Sequence, residues 1–150
     1  MMASSREHTV SFLDDLFRQV WTHGNLGLIP RFIHPDYHLL DERAEMRLCG
    51  QAGFADAVSA MRSLLGDISM RATHVVLSGD MVAYRWEMIG RLHDATRLAP
   101  ALRIVSDHVP DVMLISLRGV NLGRFAQGLL VEETCESDSA SLTQQMGWWG

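Results

Sequence analysis

The sequence contains no lysine, so all 13 of its lysine-or-arginine residues are arginines. Without a lysine amine the chain cannot form a Schiff base with a carbonyl substrate, and it cannot build the lysine-containing phosphate loop of nucleotide hydrolases. The formal net charge of −5, with no cluster of basic residues, argues against a nucleic-acid partner.

Cysteine is also scarce, because the chain has only Cys49 and Cys135. Two distant cysteines fit neither a disulfide framework nor a zinc-binding pattern. A metal site at His34, Asp36 and His38 is disfavoured, since Pro35 interrupts their spacing and no cluster supplies a third strong ligand. We therefore predict a function that needs neither a metal ion nor a cofactor.

Long apolar runs are missing too. No segment is long enough to cross a bilayer, and the N-terminus lacks the hydrophobic region of a signal peptide. These absences predict a cytoplasmic protein with no membrane partner. A length of 150 residues with 47% hydrophobic residues predicts a single domain over 1–150, with a core of about residues 8–138 and a C-terminal tail at 139–150.

The order of the hydrophobic patterns predicts the fold class. Apolar residues recur at helical spacing in the first 65 residues, and period-two patterns characteristic of strands follow. Helices followed by strands predict an α+β fold, in which N-terminal helices pack on a strongly curved antiparallel sheet. A pocket for a small molecule is expected between the two layers. Residues 42–50 are charged and are predicted to form a loop.

The rest of the chain is predicted to be organised around a hairpin at residues 112–133 with Gln127 and Gly128 at its turn. In its first strand the even positions carry two arginines, whereas the odd positions are apolar or small except at Asn121. An amide on the drier face must find hydrogen-bond partners. We interpret Asn121 as pointing into a ligand cavity. Alternatively, it is bonded to neighbouring backbone, or a register slip places it in solvent.

Several stretches occur together in an order and spacing typical of one protein family: residues 21–26, 35–37, 78–86, 118–125 and 128–133, with Asp138 and residues 145–147 after them. Over roughly residues 10–147 the chain resembles the SnoaL-like polyketide cyclases of the NTF2-like superfamily. The resemblance implies a cone-shaped, cystatin-like α+β barrel. It also implies cofactor-independent acid/base chemistry, by enolisation or aldol closure, on a small hydrophobic carbonyl compound. The same fold also hosts non-catalytic modules.

Two polar residues carry the expected chemistry. Asn121 matches the position where such cyclases hold an acidic residue; an amide cannot take a proton from carbon but can donate to an enolate oxygen. Comparison with the related ketosteroid isomerases places the general base at Asp41, which alternates in phase with Tyr37. Alternatively, Asp41 begins an acidic loop in solvent. The isomerases' helix-one tyrosine falls at Phe17, so orthodox isomerase activity is not expected.

Two histidines are further catalytic candidates. His93 matches a histidine that follows the bent-strand glycine of the family, here Gly90. Strict alternation places His93 on the wetter face unless a bulge turns it inward. His108 precedes the hairpin and is a candidate proton shuttle. Aromatic side chains are predicted to line the ligand cavity, although large aromatics on an apolar face are usually core: Phe17, Tyr37, Tyr84, Trp86 and Phe125.

Two functions of different classes follow from the sequence. One is an enzyme of the cyclase or isomerase type, and the other is a non-catalytic, small-molecule-binding dimer module. Both include self-association through the outer face of the sheet, because this face is too apolar for open solvent. Its apolar residues are Val112, Leu114, Val120 and Leu122.

Overall fold

The computed structural model describes residues 2–42, 46–93 and 114–138. Helix α1 (Met2–Leu16) runs directly into a π-helical segment (Phe17–Thr22), and a 3-10 helix (Leu26–Arg31) and helix α2 (Gly50–Leu64) follow. The six strands are β1 (Ile33–Asp41), β2 (Met46–Cys49), β3 (Leu65–Ser78), β4 (Met81–Leu92), β5 (Leu114–Ala126) and β6 (Leu129–Ser137).

The strands form one sheet in the order β2-β1-β6-β5-β4-β3. Register shifts interrupt the β3–β4, β5–β6 and β1–β6 ladders, and such irregularities bend and twist a sheet. The predicted α+β fold with a curved sheet is confirmed. Not every neighbouring pair is antiparallel, however, because β1 and β6 run parallel. The prediction of a loop at residues 42–50 is wrong in its second half, where β2 pairs with β1.

The helices cover one face of the sheet, and the two layers enclose a single core. Leu13, Phe17 and Val20 are at most 2% exposed, and they belong to the same buried cluster as Val58 of α2 and Val82 of β4. No helix in the described part of the chain is long and apolar enough to cross a membrane. The single-domain organisation over the whole chain and the cytoplasmic location stay predictions.

Gly24 ends the π-helical segment, and an arginine of α2 secures that end. Gly24 has φ +71°, and its N–H donates to the Val20 carbonyl. The guanidinium of Arg62 donates to the carbonyls of Trp21 and Thr22 and lies against Gly24. This contact fixes α2 to the end of the first helix, so both helices are held in place over the sheet.

The hairpin has the predicted turn and the predicted alternation. Gln127 and Gly128 have φ values of +54° and +77°, which suit a two-residue turn between twisted strands. From residue 115 to 123 of β5, the odd positions are buried and the even positions are exposed or half-buried. Asn121 therefore lies on the face that contacts the helices, and it is 7% exposed.

The glycines of β5 make room for side chains of neighbouring strands. A side chain at Gly119 would overlap the indole ring of Trp86, its register partner on β4. A side chain at Gly123 would press on Val82 and Leu130. The space in front of these glycines is thus occupied by neighbouring core residues.

We expect Gly119→Ala to destabilise the fold by about 1–3 kcal/mol, because the added methyl group forces Trp86 out of its position. Urea unfolding followed by tryptophan fluorescence measures the loss. Gly27→Ala is the matched control, since a methyl group there meets nothing within 4 Å. The control should be neutral or slightly stabilising. Equal stability of both variants would contradict the predicted Trp86 packing.

Candidate active site

Four neighbouring strands bring their polar side chains to one place on the inner face of the sheet. The cluster consists of Tyr37 on β1, Tyr84 on β4, Asn121 on β5 and Glu133 on β6, with exposed fractions of 1%, 4%, 7% and 2%. Tyr84 and Asn121 are register partners, and β6 lies between β5 and β1. We refer to these four residues as the inner polar cluster.

The carboxyl group of Glu133 is the common acceptor of the cluster. The Tyr37 hydroxyl donates to Oε1 at 2.9 Å, and Asn121 Nδ2 donates to Oε2 at 2.9 Å. The Tyr84 hydroxyl also donates to Oε2. Donors from three different strands therefore satisfy one buried carboxyl, and hydrogen bonds to a charged acceptor are stronger than neutral ones.

Asn121 is bonded on both sides of its amide. Its Nδ2 also contacts the Tyr84 hydroxyl at 3.1 Å, and its Oδ1 accepts a hydrogen bond from Trp86 Nε1 at 2.8 Å. Asn121 is thus on the inner face, as the odd-position pattern indicates. Its partners are side chains of the neighbouring strands, neither solvent nor backbone.

Burial dominates the electrostatics of this cluster. Desolvation raises the pKa of Glu133, although the hydrogen bonds from Tyr84, Asn121 and Tyr37 act in the opposite direction. The pKa values of Tyr37 and Tyr84 are raised well above the usual 10.0. Desolvation is the largest cause, and the nearby charge of Glu133 is the second. Both phenols therefore remain protonated donors through the physiological pH range.

Asp41 is a second buried carboxylate, with an exposed fraction of 0%. Its Oδ2 accepts a hydrogen bond from Ser137 Oγ at 3.0 Å. Burial, with the charges of Asp41 and Glu133, raises the pKa of the Cys135 thiol to about 12. The inward phase predicted for Asp41 is observed, and the alternative position in a solvent-exposed loop is not.

Asp41 and Asn121 approach Cys135 from opposite sides. Asn121 pairs with Cys135 across β5 and β6, and the pairing of Leu40 with Thr134 brings Asp41 beside Cys135 on the other edge of β6. Two strand spacings, or roughly 10 Å, therefore separate Asp41 from Asn121 along the sheet. The two predicted catalytic groups share one face of the sheet.

The predicted aromatic residues divide into two groups. Phe17 packs on Tyr84 with ring centroids 6.1 Å apart, so these rings adjoin the inner polar cluster together with Tyr37 and Trp86. Phe125 lies further along β5, beside the hairpin turn, where its ring contacts Phe12 at 5.3 Å. Phe125 therefore belongs to a separate aromatic contact.

Of the two histidine candidates, the described one, His93, is not in the cluster. His93 is exposed, and its ring lies over Gly66 at the start of β3. Alternation along β4 turns Leu92 inward and His93 outward, so the inward bulge that would make His93 a site residue is not observed. His108 lies outside the described residues.

The described residues contain no group of three or more histidine, cysteine, aspartate or glutamate side chains that could hold a metal ion. The His34 ring instead contacts the Asp36 backbone N–H at 3.0 Å and the Gln127 side chain at 3.2 Å. His38 lies at 4.0 Å from Glu132.

Glu133 is the residue of the cluster that the sequence analysis missed. It is one of several acidic residues near the end of β6, and most acidic residues lie in solvent. The hairpin register could not have found it: counting back from the turn pairs Gly123 with Glu132, and only a register shift between Arg124 and Phe125 moves Glu133 opposite Gly123 on the inner face.

Comparison with known proteins identifies the family. The model of the SnoaL-like polyketide cyclase family matches residues 12–146. The chain belongs to this family. No curated protein matches its sequence.

Solved structures show the same fold at low sequence identity. A polyketide cyclase candidate from Acidithiobacillus ferrooxidans has a TM-score of 0.73 at 20% identity, covering 93% of this chain and 94% of the other. TsrD from Streptomyces laurentii has a TM-score of 0.71 at 20% identity, with coverage of 99% and 98%. A Catenulispora acidiphila protein with a ketosteroid isomerase-like fold, in complex with trimethylamine, has a TM-score of 0.67 at 14% identity, with coverage of 89% and 93%.

The two tyrosines of the cluster are the only tyrosines in the chain, so phenolate absorbance reports on this cluster alone. Their folded-state pKa values lie above the unfolded value of 10.0, and the folded state therefore holds its phenol protons longer. The resulting stability is fully present below pH 10 and is lost as the pH rises through the folded-state values.

We expect phenolate absorbance to appear only well above pH 10 and to accompany loss of the circular dichroism signal. The chain unfolded in guanidinium is the control and should titrate near the usual value. Tyr84→Phe should halve the absorbance change. Ionisation of both tyrosines near pH 10 with the fold intact would contradict the buried cluster.

Proposed function

We propose that this protein is a cofactor-independent acid/base catalyst of the cyclase or isomerase type, acting on a small hydrophobic carbonyl compound. The supporting observation is that Asp41 and Asn121 lie on the same inner face, on either side of Cys135. A carboxylate and an amide donor are thus separated by about the width of a small substrate. Family membership supports the same class of chemistry.

In the proposed reaction Asp41 removes a proton from the carbon beside a carbonyl group. The electron pair of the broken C–H bond moves onto the carbonyl oxygen and gives an enolate. The inner polar cluster supplies hydrogen-bond donors for this oxygen: the Asn121 amide and the hydroxyls of Tyr37 and Tyr84. A preorganised donor typically contributes about 10²–10³ in rate, and a positioned base about 10²–10⁴.

Burial makes both groups suitable for this role. Donors in a water-poor environment act more strongly on a developing charge than the same donors in water. The rings of Phe17 and Trp86 adjoin the cluster, so its immediate surroundings are apolar. The substrate class that fits is therefore hydrophobic and uncharged before proton removal.

A non-catalytic ligand-binding module is the second candidate. The observation in its favour is that the donors of the cluster already form hydrogen bonds within the protein. Asn121 Nδ2 donates to Tyr84 and Glu133, and both tyrosine hydroxyls donate to Glu133. A fully bonded cluster stabilises a core as well as it serves catalysis. In this alternative the protein binds a small hydrophobic molecule without transforming it.

We predict that Asp41→Asn abolishes most turnover, by about 10²–10⁴-fold, and keeps the fold. Asn121→Leu should reduce turnover by about 10²–10³-fold, and more than it reduces binding. Asn121→Asp introduces a carboxyl group of the cyclase type at this position. The assay incubates the protein with a panel of small carbonyl compounds in heavy water and follows exchange of the α-hydrogens by NMR.

Asp36→Asn is the matched control, because Asp36 is on the same strand but its side chain is 88% exposed. It should keep full activity. Full activity of Asp41→Asn would show that the base lies elsewhere. Binding of a compound without any exchange would favour the non-catalytic module.

We also propose that the protein is a homodimer through the outer face of the sheet. Val120 and Leu122 of β5 are 50% and 48% exposed, and Val76 of β3 is 64% exposed. Leu122 and Val76 both pair with Ala83 of β4, so they form one apolar row across the sheet. An ion pair between Arg71 and Glu87 at 2.9 Å lies two outward-facing rows further along the strands. An apolar centre with a charged margin is typical of protein interfaces.

We expect Leu122→Arg to convert the dimer to a monomer, because it places an unpaired charge at the centre of the interface. Sedimentation at tens of micromolar should show a dimer for the wild type. At roughly this concentration a dimer with a Kd near 1 μM stays associated. Leu26→Arg is the control, since Leu26 is also partly exposed, at 38%, but lies on the helical side. A monomeric wild-type protein would contradict the proposal.

A further inference from the structure

Glu133 has no part in the reaction proposed above, yet its carboxyl group is at the centre of the donors that the reaction uses. It is 2% exposed and receives hydrogen bonds from Tyr37, Tyr84 and Asn121. Among the described residues no basic side chain forms an ion pair with it. A carboxylate buried without a counter-ion is readily neutralised by a proton.

Glu133 also lies beside Asn121, the residue at the position where the resemblance to the cyclases implies an acid. Asn121 cannot take up or release a proton, but its Nδ2 lies 2.9 Å from Glu133 Oε2 on the neighbouring strand. The nearest group in this cluster that can exchange protons at moderate pH is therefore the carboxyl of Glu133. Its route to a ligand leads through the tyrosine hydroxyls, since both donate to it directly.

We propose that Glu133 is a positioning residue that supplies the exchangeable proton of this site through Tyr84 and Tyr37. This inference rests on the proposed function. When an enolate oxygen forms, a phenol O–H bond breaks and its proton moves to that oxygen. In the protonated form the Glu133 O–H donates to one of the two phenol oxygens, so the hydrogen bond that this phenol donates to the carboxylate is reversed. This carboxyl O–H bond breaks at the same time, and its proton restores the phenol. The products are a neutral enol and an ionised Glu133, and the carboxylate is reprotonated when the enol returns to a ketone.

Few titratable groups act on Glu133 in the described part of the chain. Tyr37 of β1 and Tyr84 of β4 bond to it, and Cys135 of β6 senses its charge together with that of Asp41. The helical layer contributes the rings of Phe17 and Phe54, which pack on Tyr84 and Tyr37. Neither ring titrates. Since the pKa values of both phenols lie well above 10.0, a change of pH below that range acts on this cluster mainly through the carboxyl group of Glu133.

The mechanism has a consequence for anion binding. An ionised Glu133 repels an oxyanion and accepts the hydrogens of both phenols, whereas a protonated Glu133 carries no charge and frees the hydrogen of the phenol to which it donates. Binding of an oxyanion should therefore take up a proton. A dinitrophenolate, which is a flat hydrophobic oxyanion that stays ionised over a wide pH range, is a suitable probe for the enolate.

The experiment is titration calorimetry of dinitrophenolate over a pH series, in buffers of different ionisation enthalpy. We expect uptake of about one proton per bound probe in the wild type at pH values above the pKa of Glu133. Glu133→Gln should bind without proton uptake. It should also bind on the order of tenfold more tightly at those pH values, because a like charge is removed. Glu132→Gln is the matched control, since Glu132 is the adjacent residue, its side chain is 37% exposed and it pairs with Arg124.

Three results would overturn the assignment. The wild type takes up no proton at any pH, Glu133→Gln takes up as much as the wild type, or the wild type does not bind the probe. If Glu133→Gln does not fold, Tyr84→Phe and Tyr37→Phe replace it. Loss of either donor should weaken probe binding about tenfold. Unchanged affinity in both would overturn the role.

Activity separates this inference from the proposed function. If carbonyl compounds are turned over, Glu133→Gln should lose the part of the pH–rate profile that reports the ionisation of Glu133. Glu132→Gln should keep this part. An unchanged profile would reject the role of Glu133 and leave catalysis by Asp41 standing. If the wild type turns over no carbonyl compound but takes up a proton with the probe, the proposed reaction fails while the proton-exchanging role of Glu133 stands.

Discussion

A carboxyl group buried in the middle of a sheet requires donors, and the inner face of this protein is arranged around that requirement. Glu133 lies on β6, between the strands that carry Tyr37 and Asn121, and Tyr84 reaches it from one strand further away. Removing one hydrogen-bond partner of a buried polar group costs about 1–3 kcal/mol, because the group is left unsatisfied. The relative register of four strands is therefore tied to one side chain.

The surroundings of the cluster follow from the same constraint. Trp86 reaches the Asn121 carbonyl oxygen because Gly119 leaves space for its indole ring. Helix packing then closes the cluster from above, with Phe17 on Tyr84 and Phe54 on Tyr37. A partly satisfied polar network would cost stability, whereas a fully satisfied one specifies a single arrangement. In the described residues every buried side-chain nitrogen and oxygen has a partner.

Family membership and chemistry are separate conclusions for this chain. The family model covers most of the sequence, and the solved relatives share the fold at 20% identity or less. Identity at this level carries the fold and not the reaction, because this architecture accommodates many sites. The chemistry must therefore be argued from this chain's own residues, which place an amide at position 121 beside a carboxyl group on the next strand.

Local periodicity was enough to predict a helical N-terminal part before the long strands, the turn at Gln127 and Gly128, and the inward direction of Asp41 and Asn121. These features depend on residues close together in sequence, and the side-chain alternation of a strand is a local property. The fold class followed from the same patterns, since helices before strands leave few ways to bury both layers.

Tertiary structure alone decided which strands are neighbours. The parallel pairing of β1 with β6 joins residues almost a hundred positions apart, and no local pattern encodes it. Strand β2 was missed because it is short and charged, and its conformation depends on pairing with β1. Glu133 was missed for the same reason: its sequence neighbours make it look like a surface acid, and its hydrogen-bond partners come from three other strands. Whether a polar residue lies in water or at the centre of a site depends on long-range register, which only the assembled sheet defines.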